Sequence, residues 1–399
     1  MRILIAPDSF KGTLSAAEAA HQIALGVHDC DPEADCLEVP MSDGGEGFVD
    51  AVARAHDATR LTAHVHNQAG DRVEAPFTVL DGTAYIDVAS AVGLGLVPPE
   101  TRDILRASSR GVGELILAAL DAGAVAVIVG LGGSGTNDGG AGMLAALGVR
   151  FADARGAALD PVPANLPQVS ALDASGLDPR LSSTAVTIAS DVTNPLLGER
   201  GASAVFGPQK GATPDQVHRL DRALAHLADL AERSGARPAR DLPGAGAAGG
   251  LGFAFLAFLG ASQRAGVEVV AEAVGLTDLV RDADLVITGE GSVDAQTLNG
   301  KTPMGVAAVA AAASVPVVLL AGQVSPDADI LLRHGVTALV ATPRQILPLD
   351  QVLARAGEDV RTAAATVTRI FLAGRRTPAR VRPATAHSPG DAPAVAGEG

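Results

Sequence analysis

Short apolar runs alternate with helical stripes along most of this chain, and that alternation restricts its fold more than any other feature. Residues 2–6 (RILIA) read as a buried parallel strand, because a strand covered on both faces is apolar throughout. Ser15-Ala16-Ala17-Glu18 then forms a capping box, and Ala16, Ala19, Ala20, Ile23 and Val27 recur at helical spacing behind it. A second strand is expected over 36–39. Asp43-Gly44-Gly45-Glu46 is expected to open another helix, with Val49, Val52 and Ala55 on one face. Between 61 and 90 the period changes to two, with turn signals at Ala69-Gly70-Asp71 and Asp81-Gly82-Thr83, which predicts antiparallel hairpins. A helix over 109–121, a strand over 124–130, a glycine-rich loop, a helix over 139–147 and a strand over 185–190 follow. The first pattern then returns, with strands expected at 284–288, 316–321 and 337–341 and helices at 303–313 and 326–334.

The two ends together predict one parallel, doubly wound sheet made of residues 1–61 and 281–374, with a mixed α/β domain of residues 62–280 inserted into it. A cleft between two such domains suits a small-molecule site. Residues 375–399 are rich in Pro, Ala and Gly without periodicity and are expected to form a disordered tail. Trp is absent and Tyr85 is the single tyrosine, so the core must be aliphatic and alanine-rich.

Charge narrows the partners. The net charge is −15, which disfavours nucleic acid and anionic membrane, since both require a basic face. Cys30 and Cys36 lie in neither a zinc nor a redox spacing, and a reducing compartment is the simplest reading. The N-terminal segment has no signal-peptide pattern, and the longest apolar stretch, 251–261, is too short to span a bilayer. A soluble, cytoplasmic protein is expected.

Of 30 basic residues only Lys11, Lys210 and Lys301 are lysine, and each adjoins a glycine. An ammonium is a compact point charge where a guanidinium is a wide fork, so the three mark positions where arginine does not serve. Asp8-Ser9-Phe10-Lys11-Gly12 follows the first strand, where open α/β sheets bind ligands. Asp43 either caps a helix with Glu46 or takes part in the site. The densest loop, Gly130-Leu131-Gly132-Gly133-Ser134-Gly135-Thr136-Asn137-Asp138-Gly139-Gly140, follows a strand and precedes a helix, an arrangement suited to cradling a phosphate on backbone N–H groups. Its G-x-G-x-x-G at Gly130, Gly132 and Gly135 is a weak signal, since Gly244, Gly246 and Gly249 repeat it with no strand before them. Asp138 binds a metal or caps the helix. Asp191 and Asn194 either orient a hydroxyl and hold a metal, or form an Asx turn before Pro195. Glu290 and Asp294 are a carboxylate pair beside Lys301. Gly300-Lys301-Thr302 matches the end of a P-loop, but Ala295 stands where that motif needs glycine. His64 and His66 have no evident third ligand for a metal. Carboxylates, lysines and glycine loops at strand ends are together the parts that phosphoryl transfer requires.

The stretches IAPDSFKGTLSA, SDGGEG, GLGGSGTNDGGAGM, DVTNPLLGERGASAVFGPQKGA, PGAGAAGGLGF and ITGEGSVDAQTLNGKTPMGVA run in order from residue 5 to residue 310 and resemble the bacterial type-1 glycerate kinase family. The resemblance implies two α/β domains, one flavodoxin-like and one likened to restriction endonucleases. It implies ATP-dependent phosphorylation of D-glycerate with Mg²⁺, at the 2-hydroxyl or, as an alternative, the 3-hydroxyl. Carried onto this chain, it implies substrate and phosphate contacts from Asp8, Ser9, Lys11, Gly133, Ser134, Thr136, Asn137, Asn194, Lys210, Glu290 and Lys301. Asp43, Asp138 and Asp294 are the expected metal ligands, and Asp191 with Lys11 and Lys301 the catalytic set. A homodimer is possible on this reading. The family commonly has a basic residue where this chain has Ser292. Two rival readings are a nicotinamide-dependent oxidoreductase using Gly130, Gly132, Gly135 and Asp153, and a non-catalytic binder of small organic acids.

Overall fold

The computed structural model describes residues 1–376 except Glu46 and Asn299. In chain order its strands are β1 (Arg2–Ile5), β2 (Asp35–Glu38), β3 (Arg60–His66), β4 (Arg72–Leu80), β5 (Thr83–Asp87), β6 (Ala126–Gly130), β7 (Arg150–Ala152), β8 (Ala171–Asp173), β9 (Ala185–Ala189), β10 (Ser262–Arg264), β11 (Leu285–Val293), β12 (Val317–Val324) and β13 (Ala338–Ala341). One sheet has the order β2-β1-β11-β12-β13 with every pair parallel. Counted on its own strands this is 2-1-3-4-5, the flavodoxin-like doubly wound order, and its switch point lies between β1 and β11.

Side chains alternate across β1, and both faces are covered. Ile3 and Ile5 pack with Ile23 and Val27 of helix Ala16–His28 and with Val360 and Ala364 of helix Ala356–Arg376. Leu4 packs on the opposite face with Val270, Leu276 and Val306. That double burial explains the unbroken apolar run. The capping box at Ser15 and Glu18 forms, with Ser15 Oγ accepting from Glu18 N and Glu18 accepting from Ser15 N.

The second sheet has the order β10-β9-β6-β5-β4-β3. Strands β3, β4 and β5 form an antiparallel meander, and β5, β6, β9 and β10 are parallel. Its core gathers Ile86, Leu115, Val129, Ile188 and Phe253. Strands β7 and β8 form a separate short hairpin. The two large sheets share a core: Phe48, Tyr85 and Ala189 cluster with Leu4 and Val269, and the Phe48 and Tyr85 rings meet edge to face at 5.8 Å. Loops from both sheets therefore converge on one cleft.

Several expectations are corrected. The helix expected to open at Asp43 is Phe48–Ala55, with Gly47 as its N-cap, so Asp43 is not the cap. Segment Pro326–Arg333 is a 3-10 helix rather than an α-helix. Residues 375 and 376, expected in the tail, end helix Ala356–Arg376, which anchors on helix Ala16–His28. The rest of the expected tail lies outside the described residues. The stretch at 251–261 contains the buried helix Leu251–Phe258, and no helix among the described residues is long and apolar enough to cross a membrane.

Candidate active site

The switch point of the parallel sheet builds the centre of the site. Beyond β1, Asp8 N donates to Gly289 O at 2.8 Å, which ties this loop to β11. The Asp8 carboxylate accepts from Ser9 N at 2.6 Å and from Thr302 Oγ1 at 2.5 Å. Thr302 is the first residue of helix Thr302–Ala312, and Lys301 is its N-cap residue. Glu290 accepts from Thr297 Oγ1 at 3.1 Å and from Lys301 Nζ at 3.4 Å. Ser292 exposes its side chain and offers its carbonyl to Lys301 Nζ at 3.5 Å.

The other sheet contributes Asp191, which follows β9 and accepts from Gly266 N at 3.2 Å. A Cβ at Gly300 would stand 3.2 Å from the Asp191 carboxylate, so the Gly300-Lys301 turn of one sheet lies directly against the acid of the other. Asp43 accepts from Gly45 N at 3.1 Å.

These carboxylates raise one another's proton affinity. Burial pushes Asp8 above the ordinary carboxylate range, and the charge of Asp43 adds to it. Burial, with Asp43 and Glu268, pushes Asp191 up to about 6, against the hydrogen bond from Gly266. Burial also raises Glu290, against the pull of Lys301. Shifted carboxylates grouped beside a cleft mark a site of chemistry, and no three His, Cys, Asp or Glu among the described residues are grouped so as to hold a metal ion. Asp8, Ser9, Lys11, Asp43 and Gly133 line a cleft of about 930 Å³, together with Arg54 and Arg60. Lys11 is exposed and forms no ion pair among the described residues.

The glycine loop behaves differently from its sequence expectation. Gly133 reaches the cleft, but Ser134, Thr136, Asn137 and Asp138 are buried. Asp138 accepts from Ser109 N, Ser109 Oγ, Gly140 N and Gly142 N at 2.7–3.1 Å, and the N-cap of helix Ala141–Ala146 is Gly140 rather than Asp138. Asn137 Nδ2 donates to Ser203 Oγ at 2.9 Å. Lys210 is 3% exposed and donates to Ser134 Oγ at 3.0 Å and Thr136 O at 2.7 Å. It lines a different cavity from Lys11. Many of the glycines serve close approach. A Cβ at Gly130 would fall 2.0 Å from Gly44 O, and one at Gly132 would fall 2.5 Å from Gly45 Cα. The Asp43 loop and the glycine loop thus pack backbone on backbone. The second glycine motif packs beneath, with Gly139 N donating to Gly249 O at 3.0 Å.

Asn194 Nδ2 donates to Arg200 O at 2.8 Å, and Asp294 accepts from Gln296 N at 2.9 Å within its own turn. Asp153 accepts from Arg155 N and Ala157 N, engaged in a turn of its own. Asp153 lines neither the cleft nor the cavity beside Lys210. His66 Nδ1 lies 2.8 Å from Glu114 and joins no metal cluster among the described residues. Thr297, Arg54 and Arg60 are not among the candidate residues of the sequence. Thr302 completes the Gly300-Lys301-Thr302 run, whereas nothing around the two arginines distinguishes them from ordinary surface.

A profile of the glycerate kinase family matches residues 3–372. Glycerate kinase of Bacillus subtilis (strain 168) is 47% identical over 376 residues, covering 94% of this chain and 98% of that one. Glycerate 2-kinase of Escherichia coli (strain K12) is 44% identical over 378 residues, covering 94% and 99%. A crystal structure of a Salmonella typhimurium LT2 protein provisionally named glycerate kinase 2 matches with a TM-score of 0.80 at 45% identity, covering 95% of this chain and all of that one. The chain belongs to the glycerate kinase family.

Proposed function

We propose that this protein transfers the γ-phosphoryl group of ATP to the 2-hydroxyl of D-glycerate, giving ADP and 2-phosphoglycerate. The observation that carries the reading is the convergence of Asp8, Asp43, Asp191 and Glu290 with Lys11 and Lys301 where the loops of the two sheets meet. The E. coli relative, named glycerate 2-kinase, supports the 2-position.

Asp191, raised to about 6, is ionised at neutral pH yet basic enough to take a proton, which suits a general base. In the proposed step it accepts the proton of the attacking hydroxyl. The hydroxyl oxygen forms a bond to the γ-phosphorus as the bond from that phosphorus to the bridging oxygen of ADP breaks. Lys301, held by Glu290 and Thr297, and Lys11, at the cleft rim, neutralise phosphate charge. The Gly133 backbone lies at the cleft wall, and Arg54 and Arg60 extend its positive side. Asp8 is held by Thr302 and Ser9, which orients it toward substrate. The mutual charge of Asp8, Asp43 and Asp191 fits Mg²⁺, which needs only one or two carboxylates alongside substrate phosphates. Asp43, with Asp8 or Asp191, would hold it, and it would neutralise charge on the phosphates.

Incubation with D-glycerate, ATP and Mg²⁺, followed by ³¹P NMR, tests the reading. A phosphomonoester coupled to one proton is the expected product. Coupling to two protons would move the acceptor to the 3-hydroxyl, and absence of ADP formation would refute phosphotransfer.

A further inference from the structure

Helix Gly266–Ala273 follows β10 and starts where the two large sheets meet. Its first residue, Gly266, is buried and touches loops of both. On one side its N–H donates at 3.2 Å to Asp191 Oδ1, which follows β9 of the mixed sheet. On the other it faces the loop after β2 of the parallel sheet. A Cβ at Gly266 would fall 1.8 Å from Asp43 O, 2.5 Å from Asp43 C and 3.1 Å from Gly44 N. Gly44 returns the contact, since a Cβ there would stand 3.3 Å from Gly266 Cα and 3.0 Å from Ala189 O at the end of β9. Gly266 is not in the left-handed region, so its conformation suits any residue and only the close approach requires glycine.

The same helix reaches the lysine side of the site. Val267 is buried and packs on helix Thr302–Ala312, where a Cβ at Gly305 would fall 2.2 Å from Val267 Cγ2. Lys301 is the N-cap residue of that helix, and Gly300 before it lies against the Asp191 carboxylate. Asp43, Asp191 and Lys301 are therefore spaced by the start of one helix. The contact at Gly266 is backbone on backbone, and Val267 is β-branched and stiff. Rotamer changes cannot relieve a methyl added at Gly266, so the backbone itself must move.

We propose that Gly266 is a positioning residue for phosphotransfer, whose N–H aims Asp191 and whose bare Cα sets how closely Asp43 approaches it. The inference rests on the reaction proposed above. Gly266 does not line the cleft, and it acts through Asp43 and Asp191. A side chain there forces the two backbones apart by roughly 1 Å or more before ordinary contact is restored, and a misplacement of that size costs about 10²-fold in rate.

Steady-state kinetics with D-glycerate, ATP and Mg²⁺ test the proposal in wild type, Gly266→Ala, Asp191→Asn and the double variant. Gly26→Ala is the control, because its Cβ would fall 2.1 Å from Arg361 O, a clash of similar depth between helices Ala16–His28 and Ala356–Arg376. Gly266→Ala should lower kcat about a hundredfold with both KM values within about threefold. Gly26→Ala should lower the melting temperature and keep kcat. In the Asp191→Asn background the loss from Gly266→Ala should shrink to about threefold, since the group it positions is gone. Val267→Ala is the milder variant if Gly266→Ala does not fold, and it should lower kcat about tenfold in the same pattern. A near wild-type kcat in Gly266→Ala, or in Val267→Ala where that alone folds, would overturn the proposal. So would a loss that multiplies in full with that of Asp191→Asn. A crystal structure of the Gly266→Ala or Val267→Ala protein reads the spacing without the reaction. The Asp43 and Asp191 carboxylates should lie further apart than in wild type, and an unchanged separation would overturn the proposal. Absence of ADP formation by the wild type would refute phosphotransfer alone, and the separation would still decide what Gly266 positions.

Discussion

Lys11 and Lys210 each sit beside a glycine at the edge of a sheet, yet the two regions use their lysine differently. Around Lys11 and Lys301, at the switch point of the parallel sheet, charged groups are left only partly satisfied and face a cleft. Around Lys210, at the glycine loop of the mixed sheet, Ser134 Oγ, Thr136 O and Asp138 bond to other protein groups and are buried, while Thr136 Oγ1 and Asn137 Oδ1 are buried without a partner among the described residues. One region buries its polar groups and the other leaves them open to a cleft. Glycine density therefore distinguishes the two poorly, because close packing of backbones and cradling of a phosphate both require it.

The comparison breaks most sharply at Asp191. Asp191→Asn keeps the shape and removes the base, and kcat should fall by about 10²- to 10⁴-fold with little change in KM. Turnover within a fewfold of wild type would remove Asp191 from the chemistry. Next, Lys11→Arg and Lys301→Arg should lower kcat/KM by roughly a hundredfold through displaced phosphate while leaving the melting temperature nearly unchanged. Lys210→Arg should do the reverse. Forcing a guanidinium into its buried niche, like placing a methyl at Gly132 against Gly45, should destabilise by about 1–3 kcal/mol in urea unfolding. Activity lost without stability at Lys210 would erase the distinction between the regions.

The smallest effect is in pH dependence, where the two groups have opposite signs. Asp191 is raised from its ordinary value of 3.8 to about 6, so the folded state holds its proton longer than the unfolded one. Its contribution to stability is present below pH 3.8 and is lost as the pH rises through 6. Lys210 is lowered from 10.5 to about 7, so stability should rise between those values as the unfolded state gives up its proton. Unfolding free energy measured across pH 4–10, with Lys210→Met as control, should lose only the upper slope in the variant. The rate should follow Asp191 instead, with kcat/KM rising through pH 6.

The strands at both ends and the meander at 61–90 were legible because burial on two faces and on one face leave different periods. The helix start after Asp43 is misplaced from sequence alone, since D-x-x-E resembles a cap, and the backbone that packs on its flank belongs to the glycine loop, with Gly132 87 positions from Gly45. Thr302 stands out only as the end of the Gly300-Lys301-Thr302 run, and Arg54 and Arg60 carry no local signal that separates them from ordinary surface.

By itself the sequence determined the α/β alternation, the resemblance to the glycerate kinase family and the candidate residues, because periodicity, caps and collinear motifs are local properties of a chain. Only the tertiary structure decided which candidates share a space. Asp8 meets Thr302 because β1 and β11, distant in sequence, lie side by side, and Asp191 meets Gly300 because loops of the two different sheets converge on one cleft. The same packing turned Lys210 inward, and no spacing along the chain records whether a lysine ends in water or beneath a loop.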